Sequence, residues 1–307
     1  MHLNPTSPLF AEKSEDYVMT RTIAILGGDT RQLALVSYLQ KAGLAVRCYG
    51  LPIENEMASW QEAVKDAAAV ILPLPASPDG RFVHQPLVRE KEAPLLSDLL
   101  AAMPKEVPIF GGKCGSTVKK KAESAEIRLI DYFESEEFQQ KNALPTAEGA
   151  VSILMRESQR TVKGLPVVVT GYGRVAKALT KLLVAMEAKV TVIARNSDAV
   201  RAATAKGALG IQLKDEASVK QAIAGQAAVF NTVPCRLFSA DILESMEKNI
   251  LIIDLASAPG GVDSEAANAL GIKVIWALSL PGKYAPQTAG EIIGETLLTA
   301  LQKEGIL

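Results

Sequence analysis

The sequence is poor in the residues that carry most disulfide, metal and nucleophile chemistry. It has three cysteines, Cys48, Cys114 and Cys235, an odd number scattered over 307 residues. That suits free thiols in a reducing compartment better than a disulfide framework. It has two histidines, His2 and His84, too far apart for a zinc constellation, so no metal is expected. Neither lies in the second half of the chain, which removes the histidine–carboxylate pair of the usual 2-hydroxy-acid dehydrogenase. A Gly-x-Ser-x-Gly nucleophile elbow is missing too. No apolar run reaches the ~18 residues of a membrane span. No basic run stands out against a net charge of −1, which argues against a nucleic-acid surface. Residues 1–19 are polar, carry Pro5 and Pro8, and lack the apolar stretch of a signal peptide. They read as a disordered leader on a cytoplasmic chain, and Met19 could itself be a start.

What is present is a chain 48% hydrophobic and 22% charged, long enough for two domains of about 150 residues. Its most informative stretch is the apolar run Val167–Thr170 leading into Gly171-Tyr172-Gly173-Arg174-Val175-Ala176. Val175, Ala178, Leu179, Leu182, Leu183 and Met186 then follow with helical spacing. Strand, glycine turn and helix are the context of a dinucleotide fingerprint. Gly171 permits the turn, Gly173 lets backbone approach a pyrophosphate, and Ala176 lets the helix pack on the strand. The next strand ends in Arg195-Asn196-Ser197, with no acid where an NAD ribose would want one about 20 residues on. A guanidinium suits a 2′-phosphate, so NADP is the expected cofactor. The plainer alternative leaves Arg195 solvated, with Asp198 capping the next helix.

The first half is also α/β. Thr22–Leu26 reads as a strand ending in Gly27-Gly28-Asp29-Thr30-Arg31-Gln32, a turn we assign to substrate because it carries side chains where a phosphate turn wants bare backbone. Helix 56–68 and strand 69–74 precede a proline-rich loop, 75–94, in which His84 reads as an exposed loop histidine. A second glycine turn, Gly111–Thr117, offers Lys113 and Ser116 as anion ligands at the same sheet edge. A strand over 127–133 closes the domain. Pro145 suits a helix first turn, so a bridging helix is expected over 145–163.

The second half then continues regularly as a cofactor domain. Its strand-end turns are Asn231-Thr232-Val233-Pro234, beside the expected nicotinamide ribose, and Asp254-Leu255-Ala256-Ser257. A loop containing Pro281, Gly282, Lys283, Tyr284 and Thr288 opens a last helix, 289–303, expected to pack back on the first domain. The expected fold class is therefore α/β: two doubly wound parallel-sheet domains, one flavodoxin-like (20–144) and one a Rossmann NAD(P)-binding domain (145–288), with a cleft between them. Hydride transfer needs orientation more than side-chain chemistry. Proton removal falls to Lys283, Tyr284, Asp29 or a water, or to the substrate's own drive toward aromaticity.

Several motifs together resemble the A subunits of dipicolinate synthase. They are Gly27-Gly-Asp-x-Arg-Gln32, the Gly-x-Gly-Arg turn, Ala194-Arg195, Asn231-Thr-x-Pro234, Asp254-Leu-Ala-Ser-x-Pro-Gly-Gly261 and Leu280-Pro-Gly-x-x-Ala-Pro-x-Thr-Ala-Gly290. Cys235, Lys283 and Tyr284 depart from that pattern, as does the 111–117 loop. The resemblance implies oxidation of a dihydro- or hydroxytetrahydro-dipicolinate to the pyridine diacid with NADP. It also implies that the partner is a flavoprotein-like B subunit. The setting it implies is the mother cell of a spore-forming bacterium, on a branch of the lysine pathway. A homo-oligomer is expected. Other readings are a shikimate- or alanine-dehydrogenase-like reductase and a non-catalytic protein that only binds the cofactor. For a dicarboxylate, Arg31, Lys113, Lys283 and the helix start at Thr288 supply cations or free N–H groups.

Overall fold

Continuous apolar runs, rather than alternating ones, mark strands buried on both faces, and such strands pair in parallel under helices. The computed structural model describes residues 21–307, so the expected leader at 1–19 lies outside the described residues. The first half alternates β1 (Thr22–Leu26), α1 (Thr30–Lys41), β2 (Ala45–Tyr49), α2 (Trp60–Val64), β3 (Ala69–Ile71), α3 (Leu96–Ala102), β4 (Ile109–Gly111), α4 (Ser116–Ser124) and β5 (Leu129–Asp131). The strands pair in the order β2-β1-β3-β4-β5, all parallel. That is the flavodoxin-like order.

The second half alternates β6 (Pro166–Thr170), α6 (Arg174–Ala185), β7 (Lys189–Ala194), α7 (Ser197–Thr204), β8 (Leu209–Gln212), α8 (Glu216–Ile223), β9 (Ala228–Asn231), α9 (Ala240–Glu244), β10 (Leu251–Asp254), α10 (Ser264–Leu270) and β11 (Lys273–Trp276). Its sheet runs β11-β10-β9-β6-β7-β8, again all parallel, with Val168 beside Val229 and Thr191. The strand-order reversal lies between β6 and β9, where a doubly wound sheet opens its ligand crevice.

Two long helices tie the halves together. α5 (Glu136–Ser158) starts in the first core with the fully enclosed Phe138 and ends in the second, where Ala150 and Leu154 pack with Leu179 and Leu183 of α6. After β11 come α11 (Leu280–Tyr284) and α12 (Pro286–Lys303). The latter returns to the first sheet, placing Ile293, Leu297 and Leu301 against Ile23, Ile25, Leu35 and Leu39. It lies close on α1 because Gly290 and Gly294 have no side chains: a Cβ at Gly290 would collide with the Arg31 carbonyl, and one at Gly294 with the Tyr38 ring.

Several sequence expectations change here. The bridging helix begins at Glu136, not at 145, and ends at Ser158, not 163; Pro145 sits inside it. Its missing N–H removes one bond to the previous turn, while the Thr146 hydroxyl donates to the Asn142 carbonyl at 2.7 Å. Ser135, not Pro145, marks the start: its side chain accepts from the Phe138 N–H. The helix expected over 56–68 is the short α2, and β3 and β5 are shorter than the strands expected over 69–74 and 127–133. β5 stops because Asp131 turns its carboxylate onto the Phe133 N–H at 3.0 Å and opens a 3₁₀ turn.

Candidate active site between the two sheets

The cofactor turn is built from β6, β9 and the start of α6. Gly171 has φ +78°, and a Cβ there would stand 2.9 Å from Thr232 Oγ1, so only glycine fits. Gly173 differs: it is the N-cap of α6, nothing caps it, and a Cβ on it would meet nothing within 4 Å. The turn is therefore an open backbone concavity with uncapped helix N–H groups, which suits a pyrophosphate.

A buried network holds this edge. The Thr170 hydroxyl donates to Asn231 Oδ1 at 2.6 Å, and Asn231 Nδ2 donates to Asp254 Oδ1 at 2.8 Å. Asp254 also accepts from the Ala256 and Gly261 N–H groups, at 3.0 and 2.8 Å. Thr232 Oγ1 donates to the Thr170 carbonyl at 2.6 Å, and the Val233 N–H to Asn231 Oδ1 at 3.2 Å. Asn231 and Asp254 are 0% and 3% exposed. Their side chains shape the backbone at 231–234 and 254–261 and are not themselves presented to a ligand. Thr232 and Val233 are half-buried at the crevice, Ala256 is buried, and Pro234 and Ser257 are exposed.

The other cofactor-side residues are spread along the same edge. The Tyr172 ring stands over Lys177, 5.8 Å from its ammonium, and Val175 is half-buried. Arg174 donates through Nε to Glu136 Oε1 at 2.9 Å, with Nη2 on the other oxygen, linking the glycine turn to the start of α5. Hydrogen bonds from Arg174 and then Gln140 pull the Glu136 carboxyl down to about 2. Arg195 and Ser197 are exposed at the end of β7. The cap of α7 is Asn196, whose Oδ1 accepts from the Asp198 N–H at 2.7 Å, while Asp198 pairs with Arg201. The Arg195 guanidinium makes no hydrogen bond to the described residues and is open to a 2′-phosphate.

Facing this edge is a charged cluster at the end of β1. Asp29 caps α1 and accepts from Arg31 Nε at 2.9 Å and Nη2 at 2.7 Å; Arg31 Nη2 also donates to the Leu74 carbonyl. Arg31 is 4% exposed, and its Nη1 has no partner among the described residues. Burial alone pushes Asp29 up, but the hydrogen bonds and charge of Arg31 outweigh it and hold the carboxyl below its ordinary value. Beside them Gln32 Nε2 is enclosed without a partner, a second unspent donor.

Gly27 and Gly28 serve the neighbouring loop. A Cβ on Gly27 would stand 2.6 Å from the His84 carbonyl, and the Gly28 N–H donates to that carbonyl at 2.7 Å. His84 is thus half-buried and pinned beside Asp29, not an exposed loop histidine as its sequence context suggested. Sequence reasoning missed this placement; the adjacent glycines at Gly27 and Gly28 were the one signal of a close backbone approach.

The turn after β4 spends its N–H groups internally: those of Lys113 and Cys114 bind the Asp131 carboxylate at 2.9 and 2.7 Å. What stays available is the exposed Lys113 side chain and Ser116, the first residue of α4. Burial, then the nearby Asp131, pushes the Cys114 thiol up to about 12, so it is no nucleophile.

Pro281, Gly282, Lys283 and Tyr284 lie on a helix, α11, not in a loop, and α12 begins at Pro286, not 289. Pro at the first or second position of both helices explains this: its fixed φ starts a helix as readily as it ends one. Pro281 is buried, and Gly282 faces the cluster, where a Cβ would stand 2.9 Å from Arg31 Nε. Tyr284 packs over Gly149 of α5, and its hydroxyl accepts from Arg156 Nη1 at 3.1 Å. Lys283 is exposed, as is Thr288 at the third position of α12. Asp29, Arg31 and Gly282 therefore come together, whereas the Tyr284 hydroxyl is directed away from them. No group of His, Cys, Asp and Glu among the described residues could hold a metal.

Fold and turn define a class: a two-domain protein of oxidoreductase type with an NAD(P)-binding half. Residues 160–261 match the family described as "Putative NAD(P)-binding". The fold is shared with an L-alanine dehydrogenase, 16% identical at a TM-score of 0.64, with 93% of this chain and 91% of that one covered. Closer likeness is more specific. Residues 22–133 match the family model for the N-terminal domain of the dipicolinate synthase A subunit. The A subunit of dipicolinate synthase from Bacillus subtilis (strain 168) is 30% identical over 284 residues, covering 90% of this chain and 94% of that protein. The crystal structure of the A subunit from Bacillus halodurans superposes with a TM-score of 0.83 at 26% identity, over 92% of this chain and 98% of that one. The chain belongs to the family of dipicolinate synthase A subunits.

Proposed function

We propose that the protein oxidises a dihydro- or hydroxytetrahydro-pyridine-2,6-dicarboxylate to the aromatic diacid, with NADP as hydride acceptor. The observation that carries this reading is the contact of Gly282 with Arg31 and Asp29, which brings the substrate-side cluster to the helix that follows the cofactor sheet. When bound at the open turn of Gly171–Val175, the nicotinamide cofactor supplies the hydride sink. Gly171, Gly173 and the α6 N–H groups hold its pyrophosphate, joined by Arg174 once that side chain leaves Glu136. Arg195, with Asn196 and Ser197, takes the 2′-phosphate, and the turns 231–234 and 254–257 seat the nicotinamide end. One substrate carboxylate sits on Arg31 Nη1, and the other is drawn by Lys113 and Ser116. Charge-assisted bonds of this kind give orientation as well as affinity. Pro281 and Gly282 form the wall beside the ring, and Thr288 and Lys283 add positive potential at its rim. Asp29 serves by fixing Arg31, since an arginine-paired carboxylate held in its charged form is a weak proton acceptor.

An A-type family has a B-type counterpart, and we propose the flavoprotein-like partner expected above. A homo-oligomer is also part of the reading. Met155 and Leu144 are 55% and 48% exposed on α5, where Glu148 and Arg156 bracket Ser152. An antiparallel α5 from a second copy would pair those charges about a two-fold axis, and sedimentation of a Met155→Glu variant reads it. The setting implied by the family is the mother-cell cytoplasm during sporulation.

The test is ultraviolet detection of pyridine-2,6-dicarboxylate formed from the cyclic lysine-pathway aldolase product with NADP⁺, with and without the partner. Gly173→Asp, whose carboxylate repels the pyrophosphate, measures spontaneous aromatisation. Diacid formed above that control is the expected result; none in either mixture contradicts the proposal.

A further inference from the structure

We infer that His84 is the proton acceptor of the aromatisation step, an inference that rests on the dehydrogenase reading above. Aromatising a dihydropyridine removes two hydrogens from neighbouring ring positions. One leaves its carbon with the bonding pair, as hydride, to the nicotinamide of NADP⁺. The other leaves as a proton, and the pair it leaves behind becomes the new ring π bond. Dihydro diacid and NADP⁺ therefore give pyridine diacid, NADPH and one proton, and that proton needs an unprotonated base at the substrate.

His84 has the position and the chemistry for this. Its backbone is fixed on both sides: its N–H donates to the Ala76 carbonyl at 3.0 Å, and its carbonyl accepts from Gly28 at 2.7 Å. The residue therefore cannot swing with the loop, and the Gly27-Gly28-Asp29 turn sets its place relative to Asp29 and Arg31. The side chain is half-buried and makes no hydrogen bond to the described residues, so a ring nitrogen is unspent. Imidazole is the side chain whose ordinary titration lies nearest neutrality. The ionisable groups acting on it are Asp29, Arg31 and Asp79. Burial first, and then Arg31, lower its affinity for a proton, while Asp29 and Asp79 pull the other way; the balance lies below the ordinary value. The ring is then neutral at neutral pH, the form a base needs. The rival acceptors are less well placed: the Asp29 carboxylate is engaged by Arg31, and the Tyr284 hydroxyl lies on Arg156 of α5.

The experiment has two readouts. In the first, the ring C–H signal of His84 is titrated by NMR, assigned by its loss in His84→Gln and so separated from His2. It is expected to titrate below about 6.5, the ordinary histidine value, and to shift when pyridine-2,6-dicarboxylate is added. In the second, NADP⁺ reduction is followed against pH in wild type and His84→Gln. The variant is expected to lose on the order of 10²–10⁴-fold in kcat, to keep its affinity for NADP⁺, and to lose the acid limb of its pH profile. Added imidazole should restore part of the rate to His84→Gly. A His84→Gln protein with wild-type kcat and an unchanged acid limb overturns the role alone. A wild type that never reduces NADP⁺ with this substrate overturns the function and the role together. An NMR signal indifferent to the diacid places His84 outside the substrate site and overturns the role whatever the turnover.

Discussion

In the proposed reading a single exposed guanidinium carries the choice of cofactor. Arg195 stands at the end of β7, its guanidinium without a hydrogen-bonding partner among the described residues, and the cap of the following helix is satisfied by Asn196. A charge-assisted bond to a phosphate is worth about 1.5–3 kcal/mol, so Arg195→Asp should weaken NADP⁺ binding by at least about tenfold. The new carboxylate should meanwhile improve NAD⁺ binding. Calorimetric titration of both cofactors checks it, and an unchanged NADP⁺/NAD⁺ ratio would remove Arg195 from recognition. The strand-end position of Arg195 could be read from the sequence because the fingerprint fixes where a strand end must lie. The placement of His84 could not: it comes from a backbone bond to Gly28, and although Gly27 and Gly28 signal a close backbone approach, nothing local names a partner so distant in sequence. The same holds for Asn231 and Asp254, whose strand-end positions the sequence marks but whose burial in a shared network it does not.

Among the elements, α5 does the most. It begins at the lip of the cofactor turn, where Glu136 holds Arg174, and ends in the core of the second domain. While that ion pair persists, the guanidinium is withheld from a pyrophosphate. Glu136→Gln should free it and tighten NADPH binding, by up to about fivefold, because an exposed pair is worth about 0–1 kcal/mol. Fluorescence titration of NADPH gives the answer; weaker binding would mean that Glu136 orients Arg174 for the cofactor instead of competing for it. The sign of the pH effect follows from a depressed carboxyl. Its contribution is complete above the ordinary value of 4.5 and is lost only as pH falls toward about 2. The link therefore stays charged across the neutral range, and any acid limb of activity near neutrality belongs to another group. The start of α5 was hidden in the sequence because Pro145 imitates a helix beginning, whereas the working signal was Ser135 ahead of Glu136 and Glu137. α11 was hidden for the converse reason: Pro281 and Pro286 looked like loop residues and in fact open two helices.

Across the whole molecule, the two parallel sheets were legible because each strand is a short apolar run between glycine or polar turns, and the strand-helix alternation leaves few topologies. The interlocking of the halves was legible in part, since a bridging helix and the return of the last helix to the first domain were both expected. What was not legible is how closely α12 lies on α1, which Gly290 and Gly294 allow because they lack side chains. That packing, with Gly282 against Arg31, sets the Asp29–Arg31 cluster relative to the second sheet. The central claim is that these two edges form one site. The measurement that tests it most directly is a crystal structure of the protein with NADP⁺ and pyridine-2,6-dicarboxylate. The account predicts the pyrophosphate on Gly171–Arg174, the 2′-phosphate on Arg195, and a diacid carboxylate on Arg31 with the ring between the nicotinamide and His84. A diacid bound elsewhere, with Arg31 and His84 unoccupied beside a bound cofactor, would contradict it.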